Sequence, residues 1–240
     1  MKLSNTKIVA ASTIGSRLKS EWLLKIIFLF TLNLWVYAPY LFLQRHHFFP
    51  TTTMPSSFCD RLIPFLPQTV WIYLSIDFLM PIGPFLMNRR QQIFRYAFGI
   101  VLIGAIADVI FLFWPTSCPR PNAGGTNAVY QTLVSIDNSF HAFPSLHAAF
   151  AVYSAMCGTM VMRELSNSKI WQIVFWLWVF LILLATLTTK QHVILDILGG
   201  SALGFGIFNC VFGKWSFISK HKTDLQSVTA NLTQSNSNSL

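Results

Sequence analysis

Residues 170–189, "IWQIVFWLWVFLILLATLTT", run for one bilayer thickness without a charge. About 20 apolar residues is the length an α-helix needs to cross a hydrocarbon core, where backbone polar groups must be satisfied inside the protein. Five more stretches, 22–43, 69–87, 94–114, 144–162 and 192–213, share that character and predict an all-α membrane bundle of six transmembrane helices. Only 10% of the 240 residues are charged, against about 25% in soluble domains. The first stretch is too long for the apolar core of a signal peptide, about 7–15 residues, and no small-x-small cleavage pattern follows it closely, so it reads as an uncleaved span.

Basic residues accumulate on the cytoplasmic side of membrane proteins and so test this layout. Lys2, Lys7, Arg17, Lys19 and Lys25 precede or open the first span; Arg89, Arg90 and Arg95 follow the second; Arg163 and Lys169 follow the fourth; Lys214, Lys220 and Lys222 follow the last. That is 13 of the 17 Lys and Arg, leaving Arg45, Arg61, Arg120 and Lys190 for the other face. Both termini are therefore predicted to be cytoplasmic, and the third and fifth connections to face the opposite side. The net charge of +9 becomes a topology signal with some attraction to anionic lipid. Its dispersal among short loops argues against nucleic acid as a partner.

The predicted organisation is a cytoplasmic segment 1–21, a six-helix domain 22–213 and a polar tail 214–240, rich in Ser, Asn and Thr and expected to be disordered. Pro50, Pro55, Pro64 and Pro67 make 44–68 an irregular connection that cannot run as one helix. Cys59 and Cys118 both fall in predicted outer connections, where an oxidising compartment would permit a disulfide. Cys157 and Cys210 are expected to pack as small hydrophobes. Asp77 and Asp108 are costly within spans and are expected to face the bundle interior or to partner Arg, Tyr or backbone groups, in a structural role.

On this topology the titratable residues of the outer face gather in three stretches, "PTSCPRPN" (115–122), "HAFPSLHAAF" (141–150) and "TTKQHVILDILGG" (188–200). His192 and Asp196 are four apart, so on a helix they share a face, and a carboxylate behind an imidazole fixes its tautomer and supports its cationic form. The plainer reading is a satisfied polar pair. Pro144 suits the first turn of a helix, whose amides and dipole would form an anion site beside Ser145 and His147; alternatively Ser145 only caps the helix. Arg120, between two prolines, can bind phosphate bidentately, and Lys190 would add a second cation. His141 is left as an outer-loop histidine. Two cations, a helix N-terminus, a carboxylate-backed histidine and a second histidine are what displacement at phosphorus requires.

These stretches resemble the signature of the type 2 phosphatidic acid phosphatase superfamily, K-x6-R-P, P-S-G-H and S-R-x5-H-x3-D. Arg120-Pro121, "PSLH" at 144–147 and "HVILD" at 192–196 match it in order. "FPSLHAA" and "TKQHVILD" are more similar to the branch containing inositol phosphorylceramide synthases. The resemblance implies a nucleophile at His192, oriented by Asp196, an acid at His147 and phosphate ligands at Arg120, Ser145 and Lys190, with no metal and no cofactor. Phe113 stands where the pattern has Lys, Leu146 where it has Gly, and Ala185-Thr186 where it has Ser-Arg.

The expected function is a membrane lipid phosphatase or headgroup phosphotransferase, with a lipid phosphate as substrate and a phosphohistidine intermediate. Two other classes compete. His147, His192 and Asp196 would also suit a metal site, although Arg120 and Lys190 oppose it. The departures from the signature fit a transporter or interaction protein that keeps a degenerate motif. Gly200 and Gly204 form a G-x-x-x-G that lets helices approach closely, read as packing around His192, with homo-oligomerisation as the alternative.

Overall fold

The computed structural model describes residues 13–46, 48–123, 125–165 and 169–213. The predicted disordered tail 214–240, with Lys214, Lys220 and Lys222, lies outside the described residues, as do Lys2 and Lys7.

The chain is helical. After the short α1 (Ile14–Lys19) come α2 (Trp22–Arg45), α3 (Phe58–Leu62), α4 (Val70–Leu74), α5 (Ile76–Leu86), α6 (Arg90–Phe113), α7 (Ala128–Ile136), α8 (Leu146–Leu165), α9 (Lys169–Thr188) and α10 (Ile194–Gly213). A 3-10 turn, Pro67–Thr69, leads into α4, and α4 and α5 form one apolar rod interrupted at Ser75. Polar caps mark where several helices begin. Ser57 and Asp60 form a reciprocal capping box at α3, and the Asn127 side chain accepts from the Tyr130 amide at α7.

Among the described residues five stretches are long and apolar enough to cross a membrane: Trp22–Arg45, Pro67–Leu86, Arg90–Phe113, Lys169–Thr188 and Ile194–Gly213. Their bounds follow the predicted spans closely. The predicted span 144–162 corresponds to α8 but does not join these five. Its Ala, Gly, Ser and Thr content lowers its hydropathy, and its packing explains how that is tolerated. α8 is the central helix, packed against α5, α6 and α9 and buried along most of its length, so its neighbours, not lipid, are its solvent. The outer helices expose large apolar side chains such as Phe30, Leu34, Phe78, Phe98, Ile173 and Phe205, as a lipid-facing surface does.

A polar lock closes the bundle end opposite the three motif stretches. Lys25 Nζ, buried, donates to the carbonyl oxygens of Arg17 (2.6 Å) and Phe85 (2.8 Å). Arg17 pairs with Glu164 at 3.3 Å, and Gln92 donates to the other oxygen of that carboxylate at 3.0 Å.

All four cysteines are free. Cys118 is buried and Cys59 exposed, so the disulfide envisaged between them is not formed. Cys157 packs in the core as expected, whereas Cys210 is exposed.

Candidate active site

Backbone pairing, rather than helix packing alone, brings the three motif stretches together. Thr52–Thr53 (β1) pairs in parallel with Thr116–Ser117 (β2), and Ser117 bridges to Phe140 on its other side. The Ala142 amide donates to the Thr116 carbonyl and the Phe143 amide to the Thr116 hydroxyl. Beneath this miniature sheet Met54, Cys118, Ala142 and Val193 form one small buried cluster. One residue comes from each motif stretch and one from the irregular connection before α3.

His192 stands just outside α10, with Val193 as the residue before the first turn. The predicted shared helix face is corrected accordingly: Asp196 lies in the first turn, and its Oδ2 accepts from the Val193 amide at 3.0 Å, a capping contact. From there it faces His192 Nδ1 at 3.4 Å, an approach longer than a formed hydrogen bond. Asp196 is fully buried, and its carbonyl accepts from the Ser145 amide at 3.0 Å. Gly200 and Gly204 make this junction close. A Cβ on Gly200 would overlap the Ser145 carbonyl oxygen, and one on Gly204 the Ala149 carbonyl oxygen. The G-x-x-x-G therefore seats α10 against α8 within the chain.

His147, in the first turn of α8, stacks on Tyr73 with ring centroids 3.9 Å apart, and its Nδ1 lies 3.2 Å from the Tyr73 hydroxyl. Its Nε2 is buried and makes no hydrogen bond among the described residues. A hydroxyl donating to Nδ1 leaves the proton of the neutral ring on Nε2. His147 and His192 line one cavity of about 810 Å³ that extends between α2 and α5 as far as Lys25. Its walls are mostly apolar, with α7 along one side. His141, in the loop before α8 as expected, also lines it, buried and stacked on Phe111 with ring centroids 4.8 Å apart.

The remaining predicted site residues do not line this cavity. Arg120 is held by Asp137, donating from Nη1 to its backbone carbonyl and placing Nη2 3.7 Å from its carboxylate. Asp137 also accepts from Tyr40 (2.7 Å) and Gln44 (2.5 Å), and it lines the cavity itself. Lys190, at φ 56°, sends Nζ to the carbonyl oxygens of Asp60 (3.0 Å) and Ile63 (2.6 Å). It lines a small pocket that it shares with His192 and Asp60. Ser145 is fully buried and its hydroxyl accepts from the Ala148 amide at 3.3 Å, which makes it the α8 cap. Pro144 accordingly precedes the cap, after a cis peptide bond, and does not open the first turn.

Asp60 was not anticipated as part of the site. Its Oδ1 accepts from the Ile194 amide at 2.8 Å, at the very start of α10, while Oδ2 accepts from Ser57. Burial alone would push this carboxyl up, but the Ser57 hydroxyl, the Ile194 and Ser57 amides and nearby Lys190 together hold it below the ordinary carboxylate range. The Ser57-x-x-Asp60 spacing was its only sequence signal, and it points to a cap. Asp137 and Tyr73 carried no signal, because their partners are distant in sequence. The competing metal arrangement is not assembled: among the described residues no three His, Cys, Asp or Glu side chains are grouped so that they could hold one ion.

The sequence profile of the PAP2 superfamily matches residues 41–210. The chain belongs to the PAP2 superfamily. Comparison with curated proteins and with solved structures finds no match. Within the PAP2 region the departures from the signature have structural counterparts. Phe113 is exposed at the end of α6, while Ala185 and Thr186 are buried in α9, where the Thr186 hydroxyl bonds back to the Ile182 carbonyl. Arg120 and Lys190, the two cations expected at the phosphate, are both held by protein oxygens.

Proposed function

We propose that this PAP2 protein is a metal-independent enzyme that removes or transfers the phosphoryl group of a lipid phosphate through a phosphohistidine at His192. The observation that carries the reading is that His192, backed by Asp196, shares with His147 a cavity that continues between two helices as an apolar groove. A headgroup at the histidines with its hydrocarbon in the groove satisfies both surfaces.

In the first half-reaction His192 Nε2 forms a bond to phosphorus while the bond from phosphorus to the lipid oxygen breaks, and the leaving oxygen takes the Nε2 proton of His147, which enters the step as the imidazolium and leaves it neutral. In the second, a water or alcohol oxygen displaces His192 from phosphorus and returns its proton to His147. Asp196 orients His192 through Nδ1 and stabilises its positive charge. Arg120 exchanges Asp137 for the phosphoryl oxygens, a better bidentate partner. Lys190 contributes charge from the small pocket beside His192, and Ser145 acts by capping the α8 terminus that faces the phosphate.

The motif wording shared with the inositol phosphorylceramide synthase branch favours an alcohol as acceptor. The distribution of basic residues supports a reading with both termini in the cytoplasm, the site on the opposite face and α8 as a sixth, central span. The test is phosphate release and headgroup transfer by detergent-solubilised protein over a panel of lipid phosphates, with and without EDTA, beside His192→Ala. EDTA-resistant turnover that disappears in the folded variant is expected. EDTA-sensitive turnover would return the metal site, and folded native protein without turnover would favour a non-catalytic role.

A further inference from the structure

The mechanism leaves a carboxylate of the groove unused. Asp77, on α5, lies one turn beyond Tyr73, the residue that carries His147, and lines the same cavity. Four residues of helical rise put it about 6 Å further along the groove from the histidines, the distance covered by the first few bonds of a lipid beyond its phosphate. Across the groove α2 brings Tyr37 close enough to interact electrostatically with Asp77. Asn33, one turn along α2, lines the wall too, with its amide nitrogen turned back to the Leu29 carbonyl.

Among the described residues the Asp77 carboxylate and the Tyr37 hydroxyl form no hydrogen bond. Asp77 thus faces the bundle interior, as expected, near Tyr37 but without a hydrogen bond to hold it. An ionisable carboxyl is costly in an apolar groove of a membrane protein, and where one is kept it marks a ligand or ion path. Here it faces the space reserved for the substrate.

Given the proposed lipid phosphate reaction, we infer that Asp77, with Tyr37 opposite, recognises a hydroxyl or amide N–H that the lipid carries a few bonds from its phosphate. A lipid with such a donor satisfies the carboxylate, whereas one with only ester oxygens there faces it with another acceptor and leaves it unpaired. Sites built to bond a donor discriminate strongly against the analogue lacking it, for that reason.

The experiment compares two lipid phosphates of matched chain length: a ceramide phosphate, with a hydroxyl and an amide N–H, and a diacylglycerol phosphate, with neither. Native protein is expected to prefer the first by roughly tenfold or more in kcat/KM. Asp77→Leu should bring the ratio towards one mainly by raising KM for the ceramide phosphate, and Asp77→Asn should keep part of the preference. A native protein without preference, or a variant that slows both lipids by the same factor, would overturn the inference. Turnover of neither lipid would count against the proposed reaction alone. Binding of ceramide and of diacylglycerol, read by thermal shift, then decides the recognition: tighter ceramide binding lost in Asp77→Leu supports it, and equal binding refutes it.

Discussion

The Ser145 amide donates to the Asp196 carbonyl at 3.0 Å, so the cap of α8 and the first turn of α10 are one hydrogen-bonded unit. His147 and His192 project from the two sides of that junction into one cavity, and their relative placement depends on how closely the helices meet.

Gly200→Ala tests the junction directly, because its Cβ would overlap the Ser145 carbonyl. Backbone on one side and a helix on the other leave no soft neighbour to yield, and a loss of about 1–3 kcal/mol is expected, as for overpacking elsewhere. Gly206→Ala on the same helix meets open space and should be tolerated. Thermal unfolding in detergent, with turnover measured alongside, separates the two.

Asp196→Asn retains the size of the side chain and removes the charge behind His192. Turnover should fall on the order of 10²-fold or more, with KM near native, because the carboxylate acts when the imidazole becomes cationic. A change confined to KM would contradict that role.

Tyr73→Phe keeps the stack on His147 and deletes the hydroxyl 3.2 Å from Nδ1. A drop in kcat of roughly tenfold is expected, the scale on which partners fixing a functional histidine act. Steady-state kinetics beside Tyr73→Leu, which also loses the stack, apportion the two contributions.

Acid should loosen the α10 terminus through Asp60. Its folded-state pKa lies below the unfolded value, which is about 3.9. Its stabilisation is therefore complete above that value and is lost as pH falls through the lower, folded one. Asp60→Asn should be less stable than native protein near neutrality and should lose less on acidification. Unfolding midpoints across that pH range check both signs.

Cys59 should react with a maleimide in folded protein and Cys118 should not. The first is exposed. Burial, with the Asp196 charge adding to it, pushes the Cys118 thiol up to about 12, so little thiolate forms. Peptide mapping after labelling, with and without denaturant, reads each site, and reductant should leave the pattern unchanged.

Helix positions were legible because a bilayer imposes a length and a composition on each crossing, and α2, α6, α9, α10 and the Pro67–Leu86 rod that holds α4 and α5 obey both. α8 satisfies the length alone, being shielded by protein. The motif spacing identified His147, His192 and Asp196, and their convergence follows from Gly200 and Gly204, which the sequence also displays. The partners of the cations were not legible. Asp137 reaches Arg120 across 17 residues that include α7, and the Asp60 carbonyl reaches Lys190 from 130 residues away. Nothing local records such pairings, since they arise from loops folding over one another at the end of the bundle.

The parallel pairing of Thr52–Thr53 with Thr116–Ser117, with Phe140 bridged to its far side, reverses the usual division of evolutionary freedom. In soluble proteins connections drift and tolerate insertions while the elements between them are held. In this chain the connections form a sewn rim in which one added residue would shift Arg120, Asp137 and His147 together. The lipid-facing sides of α2, α6 and α9, which ask only for an apolar side chain, are where substitutions should accumulate during descent.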